Sequence, residues 1–204
     1  MAMLTRIAGG RIVDPTQALD AVGDLWLRDG AIIAAPADGR ADETLDASGL
    51  IVMAGAIDIH SHIAGANVNT ARLLLPEHHR AHRPRPARTP LSNAGWSTFE
   101  TGCLYAGMGF TTVVEPAVSP HHALHAHLEL ADTPIIDKAI LAILGNDDLT
   151  LSMIRDGAGP RALADHVGWT LDATRALGLK CINAGGVEAF KQNVRGFSFD
   201  DVVP

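Results

Sequence analysis

The chain has 204 residues, 47% hydrophobic and 19% charged, a balance that supports one sizeable core and argues against wholesale disorder. A formal net charge of −7 argues against general nucleic-acid binding, which needs a basic face to neutralise phosphates. No stretch approaches the ~20 apolar residues of a membrane span, and the opening "MAMLTRIAGG" lacks the apolar centre of a secretory signal, so a cytoplasmic location is expected.

Along the first fifty residues, short β-like runs alternate with turn signals: "RIAGGRIVDP", "VGDLWLRDGAIIAAP" and "ETLDASGLIVMAG". Arg28-Asp29-Gly30 reads as a hairpin, because Asp-Gly supplies the positive φ that such turns require. Residues 1–50 are therefore read as a small β-sheet domain. From about residue 51 the pattern changes. "LIVMAGAIDIH", "FTTVVEPA", "KAILAILGN" and "LKCINAGG" are apolar without strict alternation and are separated by helical stretches. That pattern predicts an α/β architecture built on a parallel sheet with both faces covered.

Ser119-Pro120 predicts a capped helix start, with His121 and His125 one turn apart on the helix that follows. Leu163, Val167, Leu171 and Thr174 recur at helical spacing until Gly178 is expected to stop the helix. Cys103 and Cys181 are far apart in sequence and lack metal-site spacing, which predicts reduced core residues rather than a disulfide.

The first apolar strand ends in Asp58, His60 and His62. Burying such groups without partners is costly, about 2–7 kcal/mol even for a neutral polar group. Alternation along a strand would point all three one way, into the mouth of a barrel, where (β/α)8 enzymes place their chemistry. Two imidazoles at i and i+2 can share one divalent cation, although a catalytic site needs about three protein ligands and an open position. His121 and His125 also have a spacing that can bind zinc, but no carboxylate stands between them as in His-Glu-x-x-His, and a solvated or inter-subunit face is the simpler reading.

"GGRIVDP", then "DGAI", then "DASGLIVMAGAIDIHSH" resembles the opening of an amidohydrolase-superfamily metal hydrolase. "HIAGANVNTARLLLPEHHRAH", "FTTVVEPAVSP" and "LKCINAGGVEAFK" narrow the resemblance to the A subunits of formylmethanofuran dehydrogenase and of bacterial formyltransferase/hydrolase complexes. The resemblance implies a (β/α)8 barrel, of which residues 51–204 supply the first half. It also implies two divalent metal ions, usually zinc, held by a histidine pair, a carboxylated lysine on the fourth strand, two later histidines and a late aspartate. His60 and His62 match the pair, and Lys180 matches the lysine, whose carbamate form has two oxygens able to bridge two cations. The later histidines and the aspartate, the expected general base, have no counterpart, so no catalytic residue is assigned within the chain. The expectation is the N-terminal portion of a longer protein, inactive alone.

The implied activity is hydrolysis of an N-formyl amide on a methanofuran-type carrier, releasing formate in one-carbon metabolism, with other complex subunits as partners. A dihydroorotase- or hydantoinase-like cyclic-amide hydrolase shares the opening motifs, and a non-catalytic scaffold fragment is a third reading. The stretch "ARLLLPEHHRAHRPRPARTP" holds Arg72, Arg80, Arg83, Arg85 and Arg88 and three histidines, His78, His79 and His82. It reads equally as a loop for a carboxylate-rich carrier or as a docking or solvated segment. Glu115 and Asn183 could orient metal ligands or cap a helix or turn, and they stay outside the assigned site.

Overall fold

The computed structural model of the chain describes residues 3–74, 98–145 and 147–181. It divides into two compact units, Met1–Gly55 and Ala56–Pro204.

The first unit is a five-stranded sheet organised on one long strand. Strand β1 (Leu4–Asp14) pairs antiparallel with β2 (Leu19–Arg28) along its whole length, and β3 (Ala31–Ile33) extends the sheet beyond β2. On its other edge β1 takes two short parallel partners in succession, β4 (Glu43–Asp46) and β5 (Ile51–Met53). The expected hairpin is present: Asp29 and Gly30 have φ of 53° and 73°, the doubly left-handed turn that suits the twist of two strands. A register shift between Ile7 and Gly10 bends β1, with Gly9 at φ 72°. Asp24 secures that bulge by accepting from the Gly9 N–H at 2.9 Å and from Arg6 Nε at 2.8 Å. At Gly10 a Cβ would stand 2.5 Å from Val52, so the approach of β5 requires glycine there.

The second unit holds a wholly parallel four-stranded sheet in sequential order: β6 (Ala56–Asp58), β7 (Phe110–Val118), β8 (Asp137–Ile143) and β9 (Gly178–Lys180). Between the strands lie helices α1 (Ala66–Leu73), α2 (Phe99–Gly107), α3 (Ala123–Leu130), α4 (Asp148–Arg155) and α5 (Pro160–Thr174). Sequential parallel order with intervening helices is the arrangement of half a (β/α)8 barrel. Its core joins Val113 and Val118 of β7 and Ile140 of β8 to Ala123, Ala126 and Leu130 of α3, with Ile63 and Ala64 from the segment after β6. Asp147 caps α4 by accepting from the Thr150 N–H at 3.0 Å. Among the described residues no helix is long and apolar enough to cross a membrane.

Several expectations need correction. The apolar run from residue 50 to residue 60 is two strands, not one: β5 completes the first sheet beside β1, and β6 opens the second beside β7. Both runs are apolar, so composition alone hides the break at residues 54–55. Ser119 is extended but its side chain makes no cap hydrogen bond, and Pro120–His122 is a 3-10 turn that leads into α3. His121 therefore precedes the helix that carries His125, and its ring meets that of His122 at a tilt of 52°, with centres 4.1 Å apart. Helix α5 ends at Thr174, with Arg175 left-handed at φ 54°, and Gly178 instead begins β9. Of the expected stripe Thr174 is buried and Leu163, Val167 and Leu171 are half-buried, and Thr170, outside that stripe, is buried beside them. Both cysteines are free, but Cys103 is half-buried and Cys181 exposed, so neither is a core residue.

Candidate metal centre

His60 and His62 stand beyond the end of β6, and the chain there is bent rather than extended. Alternation along a strand therefore does not orient them; a set of side-chain hydrogen bonds does. Asp58 Oδ1 accepts from the His60 N–H at 3.0 Å, an Asx-turn that swings the backbone out of the strand. Asp58 Oδ2 accepts from the Tyr105 hydroxyl of α2 at 3.1 Å, and the same hydroxyl contacts Ser61 Oγ. Asp58 thus shapes the bend, which differs from its expected alignment with the two imidazoles. One residue later the chain rejoins the sheet edge, where the Ser61 N–H donates to the Val114 carbonyl at 3.1 Å.

Three consecutive amides follow, each aimed at a buried carboxylate. Glu115 Oε2 accepts from the Ile63 N–H at 2.7 Å and the Ala64 N–H at 3.1 Å, while Oε1 lies 3.0 Å from His62 Nδ1. The Gly65 N–H donates to Glu129 Oε2 of α3 at 2.7 Å. Glu129 Oε1 also faces His125 Nε2 at 3.0 Å and accepts from the side-chain amide of Asn69 on α1. His125 therefore belongs to this inner network with Glu129 and Asn69, not to a zinc-type pair with His121.

The imidazoles of His60 and His62 meet edge to face, with centres 5.4 Å apart and planes at 88°. Lys180, the last residue of β9, reaches the same place: its Nζ lies 3.3 Å from both Nδ1 and Nε2 of His60. Strand β9 is three positions from β6 in the sheet order. Three inter-strand spacings amount to about 14 Å in a flat sheet, so contact between these side chains reflects curling of the sheet toward a closed barrel.

The donors suit a divalent cation. With each nitrogen about 2.1 Å from a shared ion and each ring centre about 1.1 Å further, centres 5.4 Å apart correspond to an angle at the ion of about 115°, close to tetrahedral. Lys180 has no carboxylate partner within salt-bridge distance among the described residues; its Nζ faces the ring nitrogens of His60 instead. The set is partial, since no group of three or more His, Cys, Asp or Glu side chains able to hold a metal occurs among the described residues. Asn183, His78, His79, His82, Arg80, Arg83, Arg85 and Arg88 lie outside the described residues. Sequence reasoning left Glu115 and Glu129 out of the site. The signal for Glu115 was present: a lone acid within the otherwise apolar strand "FTTVVEPAV", and it is 1% exposed. Glu129, at i+4 from His125, carried no comparable mark.

The Amidohydrolase family model matches residues 43–198. The chain belongs to the amidohydrolase family. Among curated members it is 52% identical over 202 residues to the A component of the formyltransferase/hydrolase complex Fhc of Methylorubrum extorquens, covering 99% of this chain and 36% of that protein. It is 37% identical over 201 residues to protein FwdA of Methanocaldococcus jannaschii, covering 97% of this chain and 35% of that protein. The chain thus spans about a third of the length of these amidohydrolase relatives. A crystal structure of the formyltransferase/hydrolase complex FhcABCD from Methylorubrum extorquens with methylofuran superposes with a TM-score of 0.83 at 49% identity. That match covers 98% of this chain and 39% of the solved one.

Proposed function

We propose that this chain carries the first part of a metal-dependent centre that hydrolyses an N-formyl amide on a methanofuran-type carrier within a multisubunit complex. The observation that carries the metal reading is the meeting of Lys180 with His60 from opposite ends of a four-stranded sheet. Support for the carrier and for the complex comes from the likeness to the Fhc component and to the FhcABCD structure that holds methylofuran.

In this reading His60, His62 and Lys180, the last as its carbamate, would hold the divalent ions, with zinc the expected metal. Bound there, the ions would polarise the formyl oxygen and lower the pKa of water toward about 7. The chain's own part is to fix the ligands in place. Asp58 and Tyr105 set the bend that carries His60, and Glu115 and Glu129 hold the amides that follow His62. The reaction forms a C–O bond at the formyl carbon and breaks its C–N bond; the carrier amine takes a proton, and formate leaves.

Metal analysis of the full-length protein tests the assignment. His60→Ala and Lys180→Ala are expected each to lower bound metal well below the wild-type amount. Wild-type metal content in both variants would overturn the reading.

A further inference from the structure

Glu115 is placed deeper in the protein than a surface carboxylate would be, with a side chain 1% exposed. Four N–H-type contacts converge on it. The amides of Ile63 and Ala64 donate to Oε2, and the amide of Ala117 donates to Oε1 at 3.2 Å. The fourth contact is His62 Nδ1, 3.0 Å from Oε1. The three backbone donors would by themselves satisfy a buried acid, and none of them belongs to a helix N-terminus, so helix capping does not account for the residue. What remains unexplained by packing is the contact with the imidazole.

We propose that Glu115 is a positioning residue that fixes His62 as the Nδ1–H tautomer and leaves its Nε2 lone pair free for a ligand. An ionised carboxylate has acceptor capacity only, so the ring nitrogen facing it must carry the hydrogen. The neutral imidazole then has one remaining acceptor, Nε2, on the side away from Glu115. Because Oε2 holds two consecutive amides of the same loop, the carboxylate also fixes the backbone that carries the ring. Such outer partners of metal-binding histidines set tautomer and orientation, and their loss typically weakens metal affinity about 10- to 100-fold.

Glutamine in place of Glu115 separates this role from a structural one. Two amides, those of Ile63 and Ala64, hold its oxygen at the Oε2 position against the single, longer Ala117 contact at Oε1, which is given up. Its NH2 group then takes the place of Oε1 and donates to His62 Nδ1. The hydrogen on His62 is forced to Nε2, the nitrogen a metal would need.

The inference rests on the metal reading for its purpose, but the tautomer can be measured without metal. The experiment is 15N solid-state NMR of the full-length, metal-stripped protein labelled at histidine, at a pH well above the imidazole range, with His62 assigned by a His62→Asn difference spectrum. The expected result is Nδ1–H for His62 in wild type and in Glu115→Asp, and Nε2–H in Glu115→Gln. Zinc affinity, read by competition with a chromophoric chelator, is expected to fall about 10- to 100-fold in Glu115→Gln and to be largely retained in Glu115→Asp. An Nε2–H ring in the wild type would overturn the assignment, and this needs no variant to fold. An unchanged Nδ1–H ring in Glu115→Gln would overturn it as well. Failure of the wild type to bind zinc while His62 is Nδ1–H would overturn the metal reading and uphold the role of Glu115.

Discussion

Tyr105 shows how one hydroxyl can hold a loop. Its O–H donates to Asp58 and touches Ser61, tying helix α2 to both sides of the bend that carries His60. Burial pushes the phenol pKa above its usual 10.0; the Ser61 contact pulls it back, while the hydrogen bond and the charge of Asp58 raise it again. The folded protein therefore keeps the phenol proton to higher pH than the unfolded chain does. That contribution to stability is complete below the unfolded value of 10.0 and is lost as pH rises through the folded value. Tyr105→Phe is expected to lose about 1 kcal/mol at neutral pH, the net worth of a typical hydrogen bond, and to show a shallower alkaline decline. Urea denaturation at neutral and alkaline pH checks both. A decline as steep in the variant as in wild type would place the alkaline sensitivity elsewhere.

At the scale of elements, the contact between α2 and the turn before β8 is the most sharply determined. A Cβ on Gly102 would lie 2.5 Å from the Pro134 carbonyl oxygen and 2.9 Å from its nitrogen, and backbone cannot yield as a flexible side chain does. Gly102→Ala is expected to destabilise by about 1–3 kcal/mol through overpacking, despite the ~1 kcal/mol that alanine gains over glycine in a helix. Gly107, in the same helix, has nothing within 4 Å of its Cβ position, so Gly107→Ala is expected to be neutral or slightly stabilising. Thermal unfolding of the two variants side by side decides the matter, and equal midpoints would refute the close approach.

The same contrast explains what was legible in the sequence. The Asp29-Gly30 hairpin, the parallel strands and the His60/His62 pair are local signals, set by turn chemistry, composition and spacing. The break between β5 and β6, the capture of three loop amides by Glu115 and Glu129, and the approach of Lys180 to His60 depend on partners about 40 to 120 residues away. No local pattern encodes them, although an acid in the middle of an apolar strand signals that some partner must exist.

For the whole molecule, curvature of the parallel sheet is what joins distant stretches of sequence into a site. Strands β6 and β9 are not neighbours, so no ladder of backbone hydrogen bonds links them; among the described residues the link is His60 to Lys180. If a cation shares these ligands, it staples the first strand to the fourth, and its binding energy becomes stability of the curled form. At free zinc 100 times Kd that stabilisation is about 2.7 kcal/mol. Chelation of the full-length protein is therefore expected to lower its thermal midpoint and to release amide protection first around residues 56–64 and in β9. The pairing of β1 with β2 belongs to the other compact unit and is expected to keep its protection. Hydrogen exchange followed by mass spectrometry, with and without chelator, resolves these segments. Protection at β6 and β9 that is indifferent to metal would mean that the curl is held by packing alone and that the cation is no staple.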